Sequence, residues 1–333
     1  MKTTLKSSRR ILATCVLGLA GAAFAAMANA ESTYPDKPIR MIVPFVPGGL
    51  SDGTARVIAK ALTQKLKQNV IVENRPGAAG VIGAQMTVRA APDGYTILLG
   101  YIGLTSVDPW VNANMPYDTL TDLTGIGKIG DYPSLIVVSP SMHVKTWKEL
   151  AAYAKTKPDG LFFGTAGMGS TESLVGIMLS QRTGVKLVHV PYQGAGPVMT
   201  DVIAGHIPVA ITSMTGGIPF VRSGKLVGIA VSGAVRSKSA SEVPTLDESG
   251  VPGFVVNSWV GLMAPGKTPP EIIRTLNTAL NEELAEPDVR DALFNLGVDA
   301  APDSIEGFNT LIKRDYERFK PAVEAAGLLG ASK

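Results

Sequence analysis

Short apolar runs alternate along this chain with amphipathic stretches of helical period, and no other feature restricts the fold as much. The first unit is 39–56. Ile39 to Val43 is a mostly apolar run of the kind buried on both faces of a parallel sheet. The chain then turns through Pro47-Gly48-Gly49 into a helix that Ser51 or Asp52 is placed to cap. The helix carries Ala55, Ile58, Ala59, Leu62 and Leu66 on one face and Arg56, Lys60, Gln64 and Lys67 on the other. A glycine turn at that point leaves backbone N–H groups free at the positive end of a helix dipole. It is an anion site that needs no charged side chain.

The alternation continues. A strand is expected at 70–73, a small-residue helix at about 78–90 and a strand at 95–99, with 100–109 leaving the carboxyl end where open α/β sheets hold ligands. Tyr101, Thr105 and Ser106 are the polar-tipped residues there. Residues 112–131 look irregular, 134–139 form an apolar strand, and Thr146-Trp147-Lys148-Glu149 is a capping box opening a helix. After a strand at 161–163, Gly164-Thr165-Ala166-Gly167-Met168-Gly169-Ser170-Thr171 repeats the opening device, and Leu174, Val175, Met178 and Leu179 mark the helix behind it. Strands at 187–190, 207–211, 226–231 and 254–263 follow, with a polar connection at 232–252. The tail is helical at about 271–285, 287–296 and 303–325. Such a pattern specifies an α/β protein whose parallel sheets are covered by helices on both faces. Two glycine loops about 120 residues apart, one per lobe, would face one cleft.

Composition enters through the amino terminus. Lys2, Lys6, Arg9 and Arg10 precede an apolar run from Ile11 to about Ala26, and Ala28-Asn29-Ala30 offers a small-residue cleavage site before Glu31. This predicts an export leader over 1–30, cleaved near Ala30, and a periplasmic protein; the route, Sec or twin-arginine, stays open. Without the four leader basics, 31 basic residues become 27 against 28 acidic ones. The basic balance therefore belongs to the leader and gives no reason to expect a nucleic-acid partner. Cys15, the single cysteine, leaves with the leader, so the fold must rest on a large apolar core. His143, His189 and His206 are scattered without metal-ligand spacing, so no metal and no cofactor are expected.

Each motif has a competing reading. Gly49-Leu50-Ser51-Asp52-Gly53 matches G-x-S-x-G, which raises a secreted serine hydrolase using Ser51. The motif follows the first strand, however, and the Ser…Asp…His order requires a late histidine, whereas none lies beyond His206. The second loop is neither G-x-G-x-x-G nor a phosphate loop with lysine; its small and hydroxyl residues suit a single carboxylate better. His189 reads as a structural histidine, and Asp201 as a solvated helix residue or a cap for a neighbouring loop. Trp147 and Trp259 read as packing.

Several segments taken together resemble the Bug receptor family, the extracytoplasmic solute receptors of tripartite tricarboxylate transporters. They are Tyr34-Pro-Asp-Lys-Pro-Ile-Arg40, Val43-Pro-Phe-Val-Pro-Gly-Gly49 with Asp52 and Ala55-Arg56, Glu73-Asn-Arg-Pro-Gly77 with Gly80, Pro92-Asp-Gly-Tyr95 and Met115-Pro-Tyr-Asp118. The later half adds His189-Val-Pro-Tyr192 with Gly194 and Pro197, Asp201, Gly205, Gly224-Lys-Leu226, Val243-Pro-Thr245, and Trp259 with Gly261-Leu262. The resemblance implies a two-lobed periplasmic binding fold of type II-like architecture, with lobe one at 31–133 and 258–333 and lobe two at 134–257. It further implies a non-enzymatic receptor that closes on a small carboxylate and delivers it, as a monomer, to the membrane subunits of a transporter. A sensor protein as the membrane partner is the alternative. Carried over, the ligand-binding residues are Pro47, Gly48, Gly49, Ser51 and Asp52 in the first loop, Gly167, Ser170 and Thr171 in the second, and Tyr101 and Asp201 beyond them. Three positions depart from the family pattern. Ser173 stands where a histidine is common, the Ile211-Thr212 strand end lacks the usual acid, and Tyr101 replaces a smaller residue. The resemblance implies a di- or tricarboxylate or an aromatic acid as ligand, and these departures point to one with an aromatic or apolar body.

Overall fold

The structure, a computed structural model, describes residues 34–167, 170–325 and 327–331; the leader expected over 1–30 lies outside the described residues. The first βα unit forms as the pattern demands. Strand β1 (Ile39–Val43) crosses through helix α1 (Leu50–Leu66) to β2 (Val70–Asn74), and α2 (Val81–Val88) leads on to β3 (Thr96–Tyr101). β1 lies between β2 and β3, parallel to both. Apart from Arg40 its side chains are fully buried. The helix expected at 78–90 is shorter, because Gly80 at φ +94° separates a 3-10 turn, Ala78–Gly80, from α2.

Beyond Tyr101 the chain does not leave as a loop. It winds through a π turn, Gly103–Val107, and the short helix α3 (Asp108–Val111). Then comes β4 (Leu123–Val138), sixteen residues long, where irregular chain was expected up to residue 131. Its first half pairs antiparallel with β9 (Asn257–Pro265), which pairs antiparallel with β3. Its second half, Ser134–Val138, lies between β7 (Val209–Ser213) and β8 (Val227–Val231), antiparallel to both. The outer strands β5 (Leu161–Thr165) and β6 (Leu187–Pro191) restore the parallel pattern with β7. Parallel βα units on each side are thus joined by antiparallel strands at the middle.

Alternation along β4 supplies two cores at once. Ile136 and Val138 point into a cluster with α4 (Trp147–Lys155) and α5 (Thr171–Thr183), through Trp147, Leu150, Val175 and Leu179. Leu135 and Val137 point the other way, toward Val198 and Val202 of α6 (Ala195–Ala204) and Ile218 of α7 (Met214–Arg222). The other half of the molecule has its own cluster, built on Ile42, Leu98, Trp259, Phe308 and Phe319. It takes in the tail helix α10 (Ile305–Ala325), which follows α8 (Pro270–Ala285), α9 (Pro287–Asn295) and the short strand β10 (Asp299–Ala300). Glycines let these helices approach β4. A Cβ at Gly125 would stand 2.7 Å from Phe308, and one at Gly127 2.8 Å from Asn277 of α8.

Where β4 passes from one half to the other, Pro133 lies opposite Asn257. The next amide, Ser134, donates to a side chain, Ser232 Oγ, at 2.9 Å, and that hydroxyl donates to the Val256 carbonyl at 2.7 Å.

Candidate functional site

The first glycine loop leaves β1 at Val43 and enters α1 with Gly49 in the N-cap position. Neither Ser51 nor Asp52 caps the helix, as the sequence suggested; the Gly49 cap has no side-chain bond, and both residues lie inside the first turn. The reason is that Asp52 is used elsewhere. Its carboxylate, 5 % exposed, accepts from the Gly48 N–H at 3.0 Å, from Arg56 Nε and Nη2 at 3.0 Å each, and from Asn74 Nδ2 at 2.9 Å. Burial works against its ionisation, but the Arg56, Gly48 and Asn74 bonds prevail and hold its pKa below the ordinary carboxylate value. Asn74 also donates to the Phe45 carbonyl at 3.1 Å, which pins the loop to the end of β2. Gly48 sits at φ +92°, a conformation that favours glycine. Pro47, Gly48 and Gly49 are exposed, and the first N–H groups of α1 have no partner within the helix. Loop one therefore presents free donors around an acid already neutralised by Arg56.

In the second loop Ser170 is a true N-cap, its Oγ accepting from the Ser173 N–H at 3.2 Å. Thr165 at the end of β5 organises the loop from beneath. Its hydroxyl donates to the Gly167 carbonyl at 2.9 Å, receives Ser170 Oγ at 3.3 Å, and meets His189 Nε2 at 2.7 Å. With the Thr165 proton on Gly167, His189 carries its own proton on Nε2. Burial lowers the His189 pKa to about 4, so the ring is neutral at neutral pH. It also lies against Phe163, centroids 5.0 Å apart. His189 is thus structural, as expected, yet it supports the loop directly. Thr171 is 1 % exposed, and its Oγ1 has no hydrogen-bond partner among the described residues. Next to it, burial raises the Glu172 pKa above the ordinary carboxylate value, against the opposing pull of its own N–H and of Ser170.

The two remaining candidates are both tied to neighbouring groups. Tyr101 is 5 % exposed, stacked on Phe45 at 4.9 Å, and its hydroxyl donates to the Ala79 carbonyl at 2.6 Å. Asp201, within α6, accepts from the Tyr192 hydroxyl at 2.8 Å and stands 3.3 Å from His206 Nδ1. The two loops meet through α5. Val175 and Leu179 belong to the cluster beneath β5, while Leu174 enters the opposite cluster with Tyr101, Trp259 and Phe308. Around Tyr101 gather groups that the sequence reading passed over. Tyr117 and Tyr132 are buried phenols raised mainly by burial, and Asp108 is a buried acid raised for the same reason. Asp108 gave no sequence signal beyond its position after a strand end, and Tyr117 appeared only within the Met115-Pro-Tyr-Asp118 segment of the family resemblance. Glu172 gave one, an acid in a helix first turn.

Two α/β halves sharing one long strand, each with a glycine loop leading into a helix, have the architecture of a two-lobed periplasmic binding protein. Residues 54–328 match the family described as the tripartite tricarboxylate transporter family receptor. This chain belongs to that family. It is 37 % identical over 322 residues to BugT of Bordetella pertussis, covering 96 % of this chain and 98 % of BugT. The structure of R. palustris Rpa4515 with adipate superposes with a TM-score of 0.84 at 31 % identity, over 88 % of this chain and 98 % of that one. MatC from Rhodopseudomonas palustris with bound malate gives 0.80 at 29 %, over 87 % and 100 %.

Proposed function

We propose that this protein is a periplasmic receptor that captures a small carboxylate between lobe one (31–133 and 258–333) and lobe two (134–257). It then hands the ligand to the membrane subunits of a tripartite tricarboxylate transporter. The leader over 1–30 exports it and is removed near Ala30, and the receptor works as a monomer. One observation carries the carboxylate assignment: the first N–H groups of α1, which have no partner within the helix, flank an acid that Arg56 pairs through two bonds. Free donors with no net negative charge form a seat for an anion, and each charge-assisted N–H bond adds about 1.5–3 kcal/mol. The adipate and malate bound to two relatives support the same ligand class. Gly49 and Ser51 offer the donors, Pro47 shapes the turn, and Asp52 holds it through the Gly48 N–H. Gly167, Ser170 and Thr171 close from the other lobe.

A thermal-shift screen over di- and tricarboxylates, amino acids and aromatic acids identifies the ligand, because a ligand at 100 times its Kd stabilises the fold by about 2.7 kcal/mol. Ser51→Pro then tests the seat. Proline is tolerated in a helix first turn but deletes one free N–H and the hydroxyl. Affinity for the carboxylate hit should fall at least tenfold by calorimetry at an unchanged melting temperature; undiminished affinity would remove the α1 N-terminus from the site.

A further inference from the structure

Helix α9 ends in a glycine cap that leaves one carbonyl over. Gly297, at φ +77°, donates to the Phe294 carbonyl at 2.8 Å, and Val298 donates to the Leu293 carbonyl at 3.0 Å. The Leu296 carbonyl takes no part in that cap; it accepts from the Thr215 hydroxyl at 2.5 Å. Thr215 lies in the first turn of α7, so this bond crosses from one half of the molecule to the other. Each partner is fixed to its own half. Leu296 is held by α9, which packs on α1 and α8, and by β10, which pairs with Gly130 and Asp131 of β4. Val298, between the two, is fully buried. Thr215 is held by α7, whose Met214 and Ile218 belong to the cluster with Leu135 and Val137. A second contact lies beside the bond, since a Cβ at Gly297 would stand 2.6 Å from Met214 Cβ. The same seam contains a cavity of about 100 Å³, lined by Ile218, Pro219 and Arg222 on one side and by Phe294 and Asn295 on the other. The halves therefore touch there at points and are not packed along the whole seam. The Leu296 side chain turns toward α1, its δ-carbons 3.0 and 3.1 Å from where a Cβ of Gly53 would be.

Because the halves are joined at the β4 crossing, a rotation there carries Thr215 past an acceptor that stays with β10. An O–H···O bond tolerates a narrow range of lengths, so sliding by about 1 Å breaks it. We propose that the α9–β10 corner is a stop that fixes the rotational setting of the two lobes, and that Thr215 is the positioning residue that engages it. The residue gripped through its carbonyl also braces α1, so lobe two is set against the helix whose N-terminus seats the ligand. This goes beyond the carboxylate reading and rests on it only where binding is measured.

Cys15 is the single cysteine and lies in the leader, so spin labels can be placed at will in the mature chain. Labels at Lys148→Cys in α4 and Lys313→Cys in α10, both exposed, report the lobe-to-lobe distance by double electron–electron resonance without ligand. The population at the distance spanned in this structure should fall at least threefold in Thr215→Val, which keeps the shape and loses the donor. It should recover in Thr215→Ser, with the melting temperature unchanged in both. Gly297→Ala, whose methyl would meet Met214, is an independent route to the same loss. An unchanged distribution in Thr215→Val and Gly297→Ala, or a wild type that does not populate that distance, overturns the proposal. Calorimetry with adipate and malate as probes supplies the second arm: Kd should rise by the factor by which the labelled population falls. Weaker binding with unmoved labels would instead place Thr215 in contact with the ligand and also overturn the stop. The label measurement decides the stop even if neither probe binds, a result that would count against the carboxylate reading alone.

Discussion

His189 shows how one half-buried ring can govern a loop it does not belong to. Its Nε2 reaches Thr165, and through Thr165 it fixes the Gly167 carbonyl and the Ser170 hydroxyl. The folded pKa of about 4 lies below the unfolded value of about 6.5. Between those values the unfolded chain binds more protons, so the neutral ring's contribution is complete above pH 6.5 and is lost as pH falls toward 4. The loss amounts to roughly 2 kcal/mol after allowance for partial exposure. Urea titrations of His189→Gln should show a flatter stability profile than wild type across that window; parallel profiles would exclude the ring as the source. Asp52 acts in the same direction at lower pH. Its folded pKa is depressed, so its stabilisation is present above the ordinary carboxylate range and is lost as pH falls through the folded value. Asp52→Asn should therefore be less stable than wild type at neutral pH, with the gap narrowing below about pH 4.

Among the elements, α5 is the most constrained. Ser170→Ala removes its cap and should cost about 1 kcal/mol of stability as well as weakening the second loop, so chemical denaturation and calorimetry should both report the change. Gly261 of β9 is a second constraint. A Cβ there would stand 2.4 Å from Phe308 and 2.8 Å from the Gly127 carbonyl, so Gly261→Ala should destabilise by about 1–3 kcal/mol, and a neutral melt would refute the tight packing. These contacts also explain what the sequence left hidden. The strands β1, β3 and β5 were legible because buried apolar runs say strand wherever they occur. The first half of β4 was not, because Thr124-Gly-Ile-Gly-Lys-Ile-Gly130 has glycines where helices press on it, and glycine reads as turn. Nor does a strand's own residues record its direction, which is why the antiparallel placement of β9 emerged only from its partners. Both glycine loops were legible as anion turns. What Asp52 does inside the first depends on Arg56, one helical turn away, and on Asn74 at the end of β2, which no local pattern reveals.

At the level of the whole molecule, Leu174 joins its helix to the other half, and Met178 packs against both clusters. Leu174 lies at 1 % exposure in a cluster built mainly from β1, β3, β9 and α10, although its helix packs on β5 and β6. Separating the lobes exposes it, at about 1.5–3 kcal/mol for a side chain of that size. Leu174→Ala should shift the ligand-free protein toward a wider radius of gyration in small-angle scattering, with ligand restoring the narrow form; identical curves would show that Leu174 does not hold the lobes together. The strand crossing offers a counterweight. Proline at 133 has no amide proton to contribute, and the next amide is satisfied by the Ser232 hydroxyl instead of a ladder carbonyl. The Ser134 carbonyl still accepts from the Ser232 N–H at 2.9 Å, so main-chain pairing continues on that side of the crossing, while a hydroxyl rotor follows a turning amide more freely than a fixed carbonyl does. Were the halves to part, Leu174 and Met178 would lose packing that they share across them, so the cost of emptying and reloading the receptor would depend on side-chain contacts as well as on the sheet.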